Sequence, residues 1–389
     1  MEFNFDIPIP RENTNSVKFD GRQYYFGTND VTPLWVADMD FAVPECVTRA
    51  LQERINHPVF GYTFYSESLY QSIIDWFERR HQWRIERDWI LMAPGVVPSL
   101  FAAVQTFANK GEGVIVQPPV YFPFFSAVTT NHRKLILNPL RETNGHYEID
   151  FDHMEVCAQQ GAKLLMLCTP HNPVGRVWKE QELQEVLRIA RQYDVTILSD
   201  DIHADLTFSE STHIMLGRLA QSGDKIITAV APNKTFNIPG LGLSALIIPD
   251  TEQRNAMKQT FETLHMGNTN PLSIVAFEAA YREGDVWLNA LMKYLEETRD
   301  FVADFLQKNI PKIKMTKPEA TYLLWLDCRG LGMTDPQLRD FFVKQCKVGM
   351  NPGTVFGEGG GGFMRMNIGA SKSVIEASLA RICEKINSK

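Results

Sequence analysis

Apolar and polar positions follow a repeating order through the middle of the chain. Four apolar runs of strand length, "GVIVQ" (113–117), "KLLMLC" (163–168), "VTILS" (195–199) and "KIITAV" (225–230), each break off into a proline-, glycine- or polar-rich cluster: "PPVYFP", "TPHNPVG", "DDIHADL" and "APNKTF". Between the second and third runs lies "WKEQELQEVLRIARQYDV" (178–195), where Leu183, Val186, Leu187 and Ala190 recur at helical spacing on one face. Strand, helix, strand with unbroken apolar strands predicts an α/β fold, a mostly parallel sheet covered by helices on both faces. Upstream, "APGVVPSLFAAVQTFANKG" (93–111) predicts a helix that opens at Gly95 and Pro98 and carries Leu100, Val104 and Phe107 on its apolar stripe. After about residue 285 the pattern changes: "DVWLNALMKYLEETRDFVADFLQKN" (285–309) predicts a long amphipathic helix, and "TYLLWLDCR" and "FMRMNIG" predict two strands. A second, smaller α+β domain hung on a connecting helix is the expectation there.

That architecture directs attention to particular residues. In open α/β sheets ligands bind beyond the carboxyl ends of the strands. Those ends carry Tyr121, Asn172, Asp200, His203 and Lys234, so one crevice can collect all five. A lysine alone in a polar turn reads as solvated; a lysine sharing a crevice with an aspartate, a tyrosine and an asparagine does not. The helix opening at Gly95 adds free backbone N–H groups that suit a phosphate. An aldehyde coenzyme with a pyridine ring and a phosphate, pyridoxal phosphate, uses every one of these groups.

Composition narrows the classes. The 389 residues are 44% hydrophobic and 22% charged, with a net charge of −7. This balance argues against general nucleic-acid or anionic-membrane partners, which require a basic face. No apolar run is long enough to span a bilayer, and "MEFNFDIPIPRENTNS" lacks the basic and apolar segments of a signal peptide. Six scattered cysteines without a CxxC pair fit reduced thiols, and a cytoplasmic location is the expectation. Nine histidines show no HExxH or other tight ligand spacing, so no metal site is expected.

From the N-terminus onward, "WVADMDF", "GYT", "PGVVPSL", "PPVYFPF", "TPHNPVGRVW", "SDDIHADL", "APNKTFNIPGL", "TYLLWLDCR", "NPGTVFGEGG" and "RMNIG" occur in one order. In that order they resemble the fold-type I pyridoxal-phosphate enzymes, the aspartate aminotransferase superfamily. More closely they resemble its cystathionine β-lyase-like (C–S lyase) branch of the class I/II aminotransferases. The resemblance implies an N-terminal arm and part of a small domain over 1–49, a large cofactor-binding domain over 50–285, and a C-terminal small domain over 286–389. It implies that Lys234 joins covalently to pyridoxal 5'-phosphate and removes the substrate Cα proton. Asp200 would pair with the pyridine nitrogen; two adjacent acids cannot both face the ring, and only the resemblance favours Asp200 over Asp201, which stands where relatives usually carry glutamate. Tyr121 would stack on the ring, Asn172 would bond its phenolic oxygen, and His203 falls where many aminotransferases carry a tyrosine near that oxygen. Val96 and Val97 would offer backbone N–H groups to the phosphate. Asn233 replaces a serine common in this branch, and Gly242 lies where many aminotransferases place a phosphate-binding arginine. Arg365 would clamp the substrate α-carboxylate, and Trp35 and Phe356 are candidates to line the pocket around the substrate Cβ. Tyr62 would reach the phosphate in the neighbouring subunit of a homodimer.

The activity implied is a carbon–sulfur β-lyase acting on small amino-acid substrates, cystathionine or related S-substituted cysteines. An aminotransferase using the same lysine, aspartate and arginine is the second reading. A regulatory protein that retains the cofactor site is the third; no basic arm or appended helix-turn-helix supports it.

Overall fold

The computed structural model describes residues 3–267 and 270–388. Its centre is a seven-stranded sheet of β1 (Ile90–Ala93), β2 (Gly113–Val116), β3 (Lys134–Leu137), β4 (Ala162–Cys168), β5 (Thr196–Asp200), β6 (Ile226–Val230) and β7 (Ser244–Ile247). The spatial order is β1-β7-β6-β5-β4-β2-β3. Strands β3, β2, β4, β5 and β6 pair in parallel, while β7 runs antiparallel to both β6 and β1. Every residue of β2, β5, β6 and β7 is buried, which is why those segments read as continuous rather than alternating apolar runs.

Among the helices that pack around these strands and in the rest of the molecule are α1 (Glu45–Asn56), α2 (Glu67–His81), α3 (Val96–Phe107), α4 (Glu180–Tyr193), α5 (Pro271–Glu283), α6 (Asp285–Asn309) and α7 (Lys372–Asn387). The two-residue period of β4 splits its side chains between helices. Leu165 and Leu167 join Leu183, Val186 and Leu187 of α4 in one core, and Leu164 and Met166 join Leu100 and Val104 of α3 in another. Each such leucine or valine taken out of water contributes about 1.5–3 kcal/mol. The crevice at the sheet's carboxyl end is therefore floored by strands that cannot shift without opening one core or the other.

A four-stranded antiparallel sheet stands apart from the first: β8 (Lys314–Thr316), β9 (Leu323–Asp327), β10 (Asn351–Pro352) and β11 (Phe363–Asn367), in the order β8-β9-β11-β10. Arg365 sits in the middle of β11, opposite Trp325 on one side and Asn351 on the other. A strap from Trp35 to Phe41 joins the two sheets. Asn237, just beyond Lys234, accepts from the Met39 N–H (2.8 Å) and donates to the Met39 (2.8 Å) and Phe41 (2.9 Å) carbonyls. Asn367, at the end of β11, donates to the carbonyls of Val36 (2.5 Å) and Asp38 (2.7 Å). Charge holds the N-terminal arm on this strap, with Arg11 bridging Asp38 (2.8 Å) and Asp40 (2.7 Å) and Lys18 pairing with Asp40 (3.0 Å). Among the described residues no helix is long and apolar enough to cross a membrane, and no cluster of three or more His, Cys, Asp or Glu could hold a metal.

Candidate active site

Asp200 ends β5 and is buried. Its neighbour Asp201 is consumed elsewhere: Ser199 Oγ donates to one carboxylate oxygen at 2.5 Å and His213 Nε2 to the other at 2.7 Å. Asp200 receives only the Ile202 N–H, at 3.2 Å on Oδ1. Of the adjacent acids, Asp200 is thus the one whose carboxylate has no side-chain partner among the described residues. Burial pushes its carboxyl up to about 7 against the pull of the Ile202 N–H, with the Asp201 charge adding and the Lys234 charge opposing. Because the folded chain holds this proton above the ordinary value of 3.8, Asp200 stabilises the protein below that value, and the contribution is lost as pH rises through about 7. Cofactor-free protein should therefore lose roughly 2–4 kcal/mol between pH 4 and pH 8 relative to Asp200→Asn. Urea unfolding of both proteins across that range checks it; parallel curves would mean that Asp200 ionises freely.

Lys234 lies in a one-turn helical bend in which the Phe236 N–H reaches Pro232 O (2.8 Å) and the Ile238 N–H reaches Asn233 O (3.0 Å). Its Nζ donates to the Ala37 carbonyl of the strap at 2.6 Å. Burial, followed by the positive charge of Arg365, brings the amine down to about 8, while Asp38 and Asp200 pull the other way. The Ala37 carbonyl has a second donor, the Tyr322 hydroxyl, at 2.9 Å. Tyr322 went unmarked in the sequence, although it lies within "TYLLWLDCR". The preceding Thr321 has φ +73°, rare for a β-branched residue, and this bend precedes the first residue of β9.

Arg365 is buried and has no carboxylate partner among the described residues. Its guanidinium is held by three neutral acceptors, Asn172 Oδ1 (3.0 Å), the Trp35 carbonyl (3.1 Å) and Asn351 Oδ1 (2.8 Å), and lies 4.8 Å over the Phe356 ring. Its Nε has no partner, and burial lowers the group to about 10. A buried cation with neutral partners only is a receptor for an anion. Asn351 was another residue not singled out from the sequence; only the pairing of β10 with β11 brings it here.

The other expected residues fall into distinct places. Asn172 joins Arg365, and its carbonyl accepts the Tyr121 N–H at 3.1 Å. Tyr121 is half-buried, and its phenol is raised by burial while feeling the charges of Arg365 and Asp200. His203 is buried with Nδ1 unpartnered, and burial drops its imidazole to about 3. Val96 and Val97 form the first turn of α3, where no side chain caps the helix. Asn233, just before Lys234, has an unpartnered buried Oδ1. Gly242 has φ +64° and ψ −152°, a backbone shape that suits glycine and would strain an arginine. Trp35 contributes its carbonyl to Arg365, while its indole turns to Tyr25 (centroids 4.4 Å apart) and donates to Lys18 O (3.0 Å). Phe356 packs beneath Arg365 and against Trp325. Tyr62 is fully exposed in a segment, 57–64, that forms neither helix nor strand.

Among the described residues, the chain therefore sets an amine, a carboxyl with no side-chain partner, a guanidinium without an acid and the orphaned Nδ1 of His203 within reach of one another's charge. This set fits a flat, phosphorylated aldehyde together with an amino acid. Residues 29–386 match the family described as aminotransferase class I and II. The chain is 41% identical over 381 residues to cystathionine beta-lyase PatB of Bacillus subtilis, covering 97% of this chain and 98% of that protein. It is 31% identical to protein MalY of Escherichia coli, with 99% of each covered. It superposes on the crystal structure of cystalysin from Treponema denticola, which contains a pyridoxal 5'-phosphate cofactor, with a TM-score of 0.97, 38% identity and 100% of both chains covered. The order of motifs, the sheet with its single reversed strand and these full-length matches agree: the chain belongs to the aminotransferase class I and II family.

Proposed function

We propose that the protein is a pyridoxal-phosphate-dependent carbon–sulfur β-lyase that converts L-cystathionine, or a related S-substituted cysteine, to a thiol, pyruvate and ammonia. The observation that carries this reading is the pairing of Lys234, an amine held near 8, with Arg365, a buried cation awaiting a carboxylate, in a chain 41% identical to a cystathionine beta-lyase. When bound, the cofactor supplies an electron sink for the pair left by the Cα proton.

The chain's own residues do the rest. Lys234, Asp200, Asn172, Tyr121 and His203 would hold the cofactor ring, and the N–H groups of Val96 and Val97 its phosphate. Arg365 seats the α-carboxylate in a two-pronged fork, which sets the Cα–H direction. The Lys234 amine, with a pKa near working pH, takes the Cα proton and can later return it. Asp200 keeps a proton or a positive charge on the group facing it, because burial makes an unpaired carboxylate there unfavourable. The Cβ–S bond then breaks, and the thiolate leaves with both bonding electrons. The Phe356 ring beneath Arg365 keeps the carboxylate end of the crevice dry, which strengthens each of these contacts.

We place the enzyme in the cytoplasm as a homodimer. Tyr62, Phe60 and Phe64 are exposed on one segment, a surface suited to a second copy whose active site Tyr62 would enter. The test of the function is pyruvate release from purified, cofactor-loaded protein given L-cystathionine and no keto acid. Continuous release of pyruvate with equal homocysteine is the expected result. A single turnover that stalls until a keto acid is added would move the assignment to aminotransferase.

A further inference from the structure

Asp205 lies five residues beyond Asp200, and its side chain is only 6% exposed. Its carboxylate collects three side-chain donors from two separate elements. Trp76 Nε1 (3.1 Å) and His81 Nε2 (2.8 Å) come from α2, and Thr235 Oγ1 (3.0 Å) comes from the residue directly after Lys234. The same helix grips the next residue too, since the Trp76 ring meets the edge of Phe236 at 5.6 Å while stacking flat on Tyr281 at 4.7 Å. A second carboxylate–imidazole pair backs onto the first. His81 meets His213 edge-on at 6.1 Å, and His213 donates to Asp201, the neighbour of Asp200.

Packing alone does not call for this arrangement. A buried carboxylate with an imidazole costs desolvation that an apolar cluster of the same volume avoids. What the carboxylate supplies is direction: a charged acceptor in dry surroundings holds an O–H more stiffly than a dispersion contact does. The O–H it holds belongs to the turn that carries the amine. Lys234 has a long flexible side chain, so the placing of Nζ depends on how firmly its own backbone is held.

We infer that Asp205 is a positioning residue for Lys234, acting through Thr235, with His81 and Trp76 fixing the carboxylate. This rests on the reading of Lys234 as the residue that binds cofactor and moves the Cα proton. Loss of the link lets the lysine turn wander, and an error near 1 Å in the base can cost up to about a hundredfold in rate.

The test compares wild type, Thr235→Val, which keeps the shape and removes the O–H, and Thr235→Ser, which restores it. In cofactor-free protein, the rate at which Lys234 captures pyridoxal phosphate is followed by the visible absorbance of the linked form. It should fall about tenfold in Thr235→Val and recover to within threefold in Thr235→Ser. In loaded enzyme, turnover of Cα-deuterated cystathionine should show a larger isotope effect in Thr235→Val, with KM within about twofold of wild type. A loss of packing alone would lower the melting temperature without raising that isotope effect. Thr235→Val matching wild type in both readouts, or Thr235→Ser failing alongside it, overturns the inference. Asp205→Asn, which puts an amide donor against three donors, should slow capture at least threefold and carries the test if Thr235→Val does not fold; unchanged capture there overturns the inference too. Wild-type protein that captures no cofactor at Lys234 overturns the functional reading, and this inference falls with it.

Discussion

Lys234→Ala should release pyruvate from L-cystathionine at least about 10⁴-fold more slowly than wild type and lose the absorbance of lysine-linked cofactor. The amine sits where a base is useful: its value near 8 leaves a substantial neutral fraction near neutral pH. Alanine offers no group for the linkage or the proton. The fold should survive, because the Ala37 carbonyl keeps the Tyr322 hydroxyl and the repulsion between Lys234 and Arg365 disappears. A melting temperature equal to or above that of cofactor-free wild type is expected, which separates lost chemistry from lost structure. Activity above about one per cent of wild type would move the base to another residue.

Arg365→Lys should lower kcat/KM for S-substituted cysteines by about 10²- to 10³-fold. Two charge-assisted bonds to a carboxylate are each worth about 1.5–3 kcal/mol, and an ammonium cannot present both in one plane. The change also removes donors from the Asn172, Asn351 and Trp35 oxygens that now hold the guanidinium. The loss should lie largely in KM, since the carboxylate contact forms in the bound substrate and persists through the reaction. Steady-state kinetics on one S-alkyl cysteine suffice, and a loss below tenfold would place the carboxylate elsewhere.

These two residues differ in how they come to be visible. Lys234 is marked in the chain by its company, because it falls at a strand end alongside Tyr121, Asn172 and Asp200 within an ordered set of motifs. Arg365 is not: an arginine between methionines in a short strand is equally a surface residue, and only its burial beside three neutral acceptors sets it apart. Asp200 stands between the two cases. The pair of acids at a strand end was legible and only the family resemblance favoured Asp200; the structure adds that Ser199 and His213 occupy Asp201. Trp35 was expected beside the substrate pocket, and the contact it makes with Arg365 is through its carbonyl.

The chain by itself determined the local elements and their order. Apolar runs buried on both faces, helices with one apolar stripe, and turns rich in proline and glycine follow from periodicity and backbone sterics, which neighbouring residues set. It also placed Lys234, Asp200 and Asn172 at strand ends. Tertiary structure alone decided the direction of β7, since a strand buried on both faces looks the same whichever way it runs. It alone decided the partners too. Ala37 and Trp35 act through backbone carbonyls that every residue type carries, so nothing in their identity marks them. Tyr322 shares the Ala37 carbonyl with Lys234, and Asn351 and Asp205 meet Arg365 and Thr235, across stretches of chain that no local pattern spans.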